Sequence, residues 1–225
     1  MKKLFIQFAF LLVALDSFAQ GTVVLNNRIA NVGISHVWYS YSASPVFGNA
    51  SNDLPPGTTD YTGFTLIGTT GSVLGAATTF AQLLGAPGSN VPESGLLPST
   101  SPPTTFRTGL GAGNIAGGTA TFNNIPPDAP FGSFELAVWD NRSGLYPTWT
   151  EASVAWNQGL ILAGKSQEFV LDHIGGVVNT PPNIEPALQS FGIAVPEPSV
   201  LSLFCLGLVG SFSMSRAYRR HKADS

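Results

Sequence analysis

Short runs of alternating apolar and polar positions fill the chain from residue 20 to about residue 190, and they predict strands. In Thr22 to Asn26, Val23 and Leu25 share one face. In Ser35 to Tyr41, Val37, Tyr39 and Tyr41 share one face, with His36 and Trp38 on the other. Tyr61 to Ile67, Thr78 to Leu84, Thr104 to Thr108, Thr119 to Asn123, Gln167 to Leu171 and Gln189 to Ile193 follow the same rule. The clearest strand is Ser133 to Asp140, where Phe134, Leu136 and Val138 point one way. One short helix is predicted around Thr150 to Gln158.

Proline and glycine clusters separate these runs at Leu54-Pro55-Pro56-Gly57, Pro87-Gly88-Ser89-Asn90, Pro102-Pro103, Gly117-Gly118 and Ile125-Pro126-Pro127-Asp128. Pro45 to Asp60 reads as a long loop, and Pro181 to Pro186 as a loop leading to the C-terminus as a semi-rigid spacer. About nine short strands with such turns predict an all-β body of the β-sandwich or jelly-roll kind.

The pattern changes at both ends. Lys2 and Lys3 precede an apolar run from Leu4 to Leu15, and Ser17-Phe18-Ala19 supplies the small residues that a signal peptidase reads. The expected cut falls between Ala19 and Gln20, after a signal helix in residues 1–19. At the other end, Val195-Pro196-Glu197-Pro198 stops any helix from running in, because each proline fixes φ and lacks a donor. The apolar or small stretch Val200 to Met214 is about 15 residues, roughly 22 Å of helix. A bilayer core is about 30 Å thick, so the segment is short for a permanent span unless it extends to about residues 199–218. Arg216, Arg219, Arg220 and Lys222 follow, which puts the C-terminus on the cytoplasmic side and the body outside.

Composition narrows the body further. The whole chain carries a net charge of −3. Residues 20 to 190 hold four basic side chains (Arg28, Arg107, Arg142, Lys165) against ten acidic ones, a balance of −6. That charge argues against nucleic acid or anionic lipid as a partner. The single cysteine, Cys205, lies in the apolar tail, so no disulfide can form in the body despite an oxidising destination.

With these pieces together, the C-terminus resembles the PEP-CTERM sorting signal of exported bacterial proteins. The elements are Pro196-Glu197-Pro198, the short apolar segment and Arg219-Arg220, approached through Phe191-Gly192-Ile193-Ala194-Val195. The resemblance implies export across the inner membrane and transient anchoring. It also implies processing by an exosortase, a membrane-embedded transpeptidase-like enzyme, in a bacterium with an outer membrane and an exopolysaccharide or biofilm matrix. The domains expected are a signal peptide (1–19), a cargo domain (20–190) and a sorting signal (191–225). A weaker resemblance, to a recurrent group of uncharacterised β-rich proteins with this signal, rests on four segments. They are Gln20 to Arg28, Ala81-Gln82-Leu83 with Gly85 to Gly88, Phe106 to Gly109, and Leu136 to Asp140. It implies an all-β single domain and no chemistry.

Local patterns in the body point less sharply. Gly159-Leu160-Ile161-Leu162-Ala163-Gly164-Lys165-Ser166 matches a phosphate-binding loop in form. That chemistry needs a glycine-rich turn after a strand and before a helix. Here the variable positions are apolar and a strand follows, so the segment reads as a hydrophobic stretch, a turn at Gly164-Lys165 and a strand. His36 and His173, with Asp172 or Glu168, are too few and badly spaced for zinc. Glu135 with Asp140 or Glu151 could form a glycosidase pair, as any acidic β protein could. No G-x-S-x-G elbow is present. No catalytic residue, cofactor or metal is assigned, and the body is expected not to be an enzyme.

The aromatic cluster Trp139, Tyr146, Trp149 and Trp156 is the best binding lead, since sugar rings stack on flat aromatics and Asp140, Asn141 and Arg142 could bind hydroxyls. The favoured alternative has Trp139 and Trp156 filling the core and Tyr146 and Trp149 packing beneath a loop. The expected role is therefore a structural or adhesive protein of the cell surface or matrix, in possible contact with exopolysaccharide. A carbohydrate-binding module comes second and a secreted glycoside hydrolase third.

Overall fold

In a computed structural model of the protein, residues 20–39 and 65–196 are described. The chain divides into two compact units, Met1–Val195 and Pro196–Ser225, and the fold below is that of the first. The signal helix with Ala19, the long loop at Pro45 to Asp60, and Glu197, Pro198, Cys205, Arg219, Arg220 and the expected span at 199–218 lie outside the described residues. Among the described residues no helix is long and apolar enough to cross a membrane.

Strands dominate, as the alternation predicts. They are β1 (Gly21–Leu25), β2 (Arg28–Ile29), β3 (Gly33–Ile34), β4 (Val37–Tyr39), β5 (Thr65–Leu66), β6 (Thr79–Pro87), β7 (Leu97–Pro98), β8 (Gly118–Phe122), β9 (Phe131–Asp140), β10 (Ala163–Lys165), β11 (Phe169–Asp172) and β12 (Phe191–Ile193). One α-helix, α1 (Trp149–Asn157), joins them. The described strands fall into four sheets rather than two. The largest has the order β10-β9-β6-β7, with β11 also paired to β9. The others are β1-β8, β12-β4-β5 and the hairpin β2-β3.

β9 organises the molecule. Its ten residues pair along their length with β6, from Thr79 opposite Asp140 to Pro87 opposite Gly132. On its other edge β10 takes Ala137 to Trp139, and β11 takes Phe131 to Phe134. Because successive side chains point to opposite faces, Phe134, Leu136 and Val138 enter the main core with Val23, Phe122 and Ile193. Ala137 and Trp139 enter a second core with Leu84, Trp149 and Ala152. Both faces are covered, which is why this strand is so rich in apolar residues.

The main core closes through aromatic contacts, with ring centroids 5.5 Å apart for Phe122–Phe134 and 6.1 Å for Phe134–Phe169. Gly85 makes this possible, since a Cβ there would sit 2.7 Å from the Phe134 ring. The second core is roofed by α1, whose inner face is Trp149, Ala152 and Ala155. The two alanines hold the helix close to the sheet.

Three elements differ from the sequence expectation. Gly164 and Lys165 belong to strand β10, not to a turn. A Cβ on Gly164 would lie 2.9 Å from the Gly192 carbonyl oxygen, so this glycine lets β12 pass close by. The Pro181 to Pro186 segment is not a spacer. Ile184 and Glu185 are buried, and the backbone is pinned to β1 through Val24 N–H to Pro182 O at 2.8 Å and Ile184 N–H to Val24 O at 3.2 Å. The prolines suit an extended path, and Ile184 supplies the burial that fixes it. Of the predicted Thr104–Thr108 strand only isolated pairings remain, Ala81 with Thr104 and Phe106 with Ile115.

Candidate functional site

The aromatic cluster is brought together, as a stack under the helix. Trp139 and Trp149 have centroids 5.8 Å apart, and Trp149 and Trp156 are 5.9 Å apart. Phe80 meets Trp139 edge-on at 5.9 Å. Trp139 is 0% exposed and donates its indole N–H to the Tyr146 carbonyl at 2.8 Å. Trp149 is buried, and its backbone N–H donates to Gln82 Oε1 at 3.0 Å. Neither ring has a free face for a sugar. Trp156 and Tyr146 are half-buried. Trp139 and Trp149, rather than Trp139 and Trp156, are therefore the core pair, while Tyr146 and Trp156 pack against them with part of their surface exposed.

The carboxylates named as a glycosidase pair have separate structural tasks. Asp140 accepts from its own turn, through Arg142 N–H at 3.0 Å and Arg142 Nε at 2.8 Å. Glu151 caps α1, accepting from the Thr148 backbone N–H at 3.0 Å and from the Thr148 hydroxyl. Those bonds hold its carboxyl below the usual range, the hydroxyl bond first. Glu135 stands on the opposite face of β9 from Asp140.

Glu135 belongs to a polar group that the sequence reading did not assemble. It is buried on β9, and Lys165 Nζ of β10 lies 3.2 Å from its Oε2. Lys165 also pairs with the exposed Glu93. Burial, then repulsion from Glu168, pushes the Glu135 carboxyl up to about 7. Even with the Lys165 ammonium 3.2 Å away, desolvation dominates. Burial likewise lowers the Lys165 ammonium below its usual value. The signal in the sequence was a charged residue at an inward position of a two-faced apolar strand.

The histidines are apart in role. His36 is buried, and burial with the nearby Arg28 guanidinium lowers it to about 4, so it is neutral at physiological pH. Its backbone N–H donates to Ser190 Oγ at 2.8 Å. His173 is exposed beside Asp172, with Nδ1 3.4 Å from the carboxylate. Among the described residues no group of three or more His, Cys, Asp or Glu could hold a metal. The phosphate-loop look-alike runs from helix to strand, the reverse of the order that chemistry requires: Gly159 lies just past the end of α1 and Ala163 begins β10.

Two further surfaces were not legible beforehand. An open groove of about 540 Å³ runs between β11 and the Pro182–Ala187 segment, lined by Phe131, Val170, Asp172, Asn183 and Pro186 among others. The second is the point where the body ends. β12 lies parallel to β4, pairing Phe191 with Val37 and Ile193 with Tyr39. Ala194 then bridges Ala163, with N–H···O distances of 3.0 and 3.2 Å. The Trp156 indole N–H adds a third bond, to Ala194 O at 2.9 Å. Val195 and Pro196, the first two residues of the expected sorting motif, follow directly. At the other end Gln20 is tied to Asn123 just before β1 begins.

The comparisons agree with that C-terminal reading. Residues 194–220 match the family model of the PEP-CTERM protein-sorting motif. The chain carries this motif, which supports export, membrane-associated sorting and processing by an exosortase. No curated protein and no solved structure matches the chain.

Proposed function

We propose that this protein is a structural or adhesive component of the cell surface or extracellular matrix, delivered by a cleaved signal peptide and released from a transient anchor by exosortase. We take its cargo to be a sandwich-like β body, a reading supported by Val23, Leu25, Ala120 and Phe122 of β1 and β8 sharing one core with Leu83 and Phe134 of β6 and β9. The observation that carries this reading is the sorting motif joined directly to a packed terminal strand. The two conspicuous side-chain patterns of the sequence, the carboxylate pair and the aromatic cluster, take part in capping, ion pairing and core packing. The reading is tested by cell fractionation of full-length protein against a chain ending at Val195 in the native host. Full-length protein should reach the outer surface or exopolysaccharide fraction. Retention of both forms in the periplasm would contradict it.

A second reading, glycan binding, moves from the tryptophans to the groove beside β11. Phe131 is 48% exposed there, with Asp172 and Asn183 alongside for hydroxyl groups. Binding on a glycan array that Phe131→Ala abolishes, with the fold intact by circular dichroism, supports it. Binding that survives Phe131→Ala removes it.

A further inference from the structure

We infer that the surface around the chain's exit is a membrane-contact face that seats the body on a zwitterionic lipid bilayer while the tail is still attached. This rests on the anchored, exported reading above. The first observation is apolar exposure in one place. Leu160, just past the end of α1, is 65% exposed and Val195 43%. Val195 stands beside the helix end, since a Cβ on Gly159 would lie 3.7 Å from Val195 Cγ1. Trp156, half-buried, links the two segments through its bond to Ala194. Single exposed leucines are ordinary, and Leu97 and Leu110 are such cases. A cluster at one point is not ordinary.

The second observation is charge. A body with a balance of −6 has no Asp, Glu, Lys or Arg from Ala152 to Gly164, and none from Pro186 to Pro196. Those two runs meet at the Trp156–Ala194 bond. In sequence Glu151, engaged with Thr148, precedes the first run, and Lys165, paired with Glu93 and Glu135, follows it. A surface with aliphatic side chains, one tryptophan and no charge fits the headgroup–acyl boundary. Without basic residues it has no preference for anionic lipid.

The third observation is reach. Only Pro196 to Pro198 separate Val195 from the start of the apolar segment at Ser199. Four extended residues span at most about 14 Å. A tether that short keeps the surface around Val195 within reach of the bilayer. An acidic surface there would meet the headgroups at a cost; an uncharged one does not.

The test uses the full chain, one copy per phosphatidylcholine nanodisc, with a fluorophore on a single cysteine and doxyl-labelled lipid as quencher. Cys205 reports tail insertion; Leu160→Cys and Leu110→Cys, each with Cys205→Ser, report the two surfaces. The inference expects quenching by headgroup-proximal doxyl at 160, none at 110, and deep quenching at 205. Quenching at 205 with none at 160 or 110 overturns the contact face while leaving the anchor intact. Absence of quenching at 205 overturns the anchored reading itself, and the contact face with it. Protection at 160 that appears only with two copies per disc assigns the surface to a second copy and also overturns the inference.

Discussion

The indole N–H of Trp156 donates to the carbonyl oxygen of Ala194 at 2.9 Å, tying the only described α-helix to the last paired residue before the sorting motif. The same oxygen accepts the Ala163 N–H at 3.2 Å. Through this double acceptor, helix α1, strand β10 and the C-terminal end of the body become one packed piece.

Trp156→Phe keeps most of the ring contact with Trp149 and removes the donor. The expected cost is about 1 kcal/mol, the net worth of a typical hydrogen bond. It reads as a lower urea midpoint with an unchanged m-value. Amide exchange at Ala194 should accelerate more than at Leu136, deep in β9. Equal protection at Ala194 in both proteins would show that the indole bond does not hold this end.

Strand β12 is part of the core, with Phe191 1% and Ile193 0% exposed. Ile193→Ala should therefore cost about 2–5 kcal/mol by lost burial and a residual cavity. Val195→Ala, at a 43% exposed position, should change stability little. The two urea midpoints compare directly. A similar small effect of both would mean that the body folds without its terminal strand.

Two buried titratable groups should tilt stability with pH in opposite directions. The Glu135 carboxyl is raised from 4.5 to about 7 in the fold. Its contribution is fully present below about pH 4.5 and is lost as pH rises toward 7. His36 is lowered from 6.5 to about 4. Its contribution is fully present above pH 6.5 and is lost as pH falls toward 4. The wild-type slopes oppose each other between about pH 4.5 and 6.5. Glu135→Gln should therefore expose the histidine's slope, with stability rising from pH 4 to 6.5 and then flattening. Urea midpoints across pH 4 to 8 read this. A Glu135→Gln profile parallel to wild type would show that the carboxyl is not held neutral.

Much of the body was legible in the sequence because its strands announce themselves by alternation. Val23 and Leu25, and Phe134, Leu136 and Val138, occupy the core as their period-two spacing requires. Helix α1 was legible to within a residue at each end. Strand β10 was not, because Gly164-Lys165 has turn composition; its strand state comes from its pairing with β9 and the close passage of β12, which are long-range facts. The Pro181–Pro186 segment was misread because proline density signals a linker, whereas Ile184 and its bonds to β1 fix it. Asn27 shows the same blindness to tertiary context. It carries no signal in the alternation, yet it is fully buried, donating to Ser35 O at 2.8 Å and accepting from Ile115 N–H at 2.9 Å. The sorting motif was the most legible feature, because a proline-bounded motif, a short apolar run and a basic end are local and ordered. The aromatic cluster was legible as a cluster, and only the packing around Trp139 shows which way it faces.

Mass spectrometry of the mature protein, recovered from the cell surface or medium of the native host, tests the central claim most directly. The account predicts an N-terminus at Gln20 and a C-terminus at or just beyond Val195, with strand β12 retained and the apolar tail gone. Intact residues through Ser225 in that material would contradict removal of the tail. A C-terminus upstream of Phe191 would contradict the packed terminal strand on which the account rests.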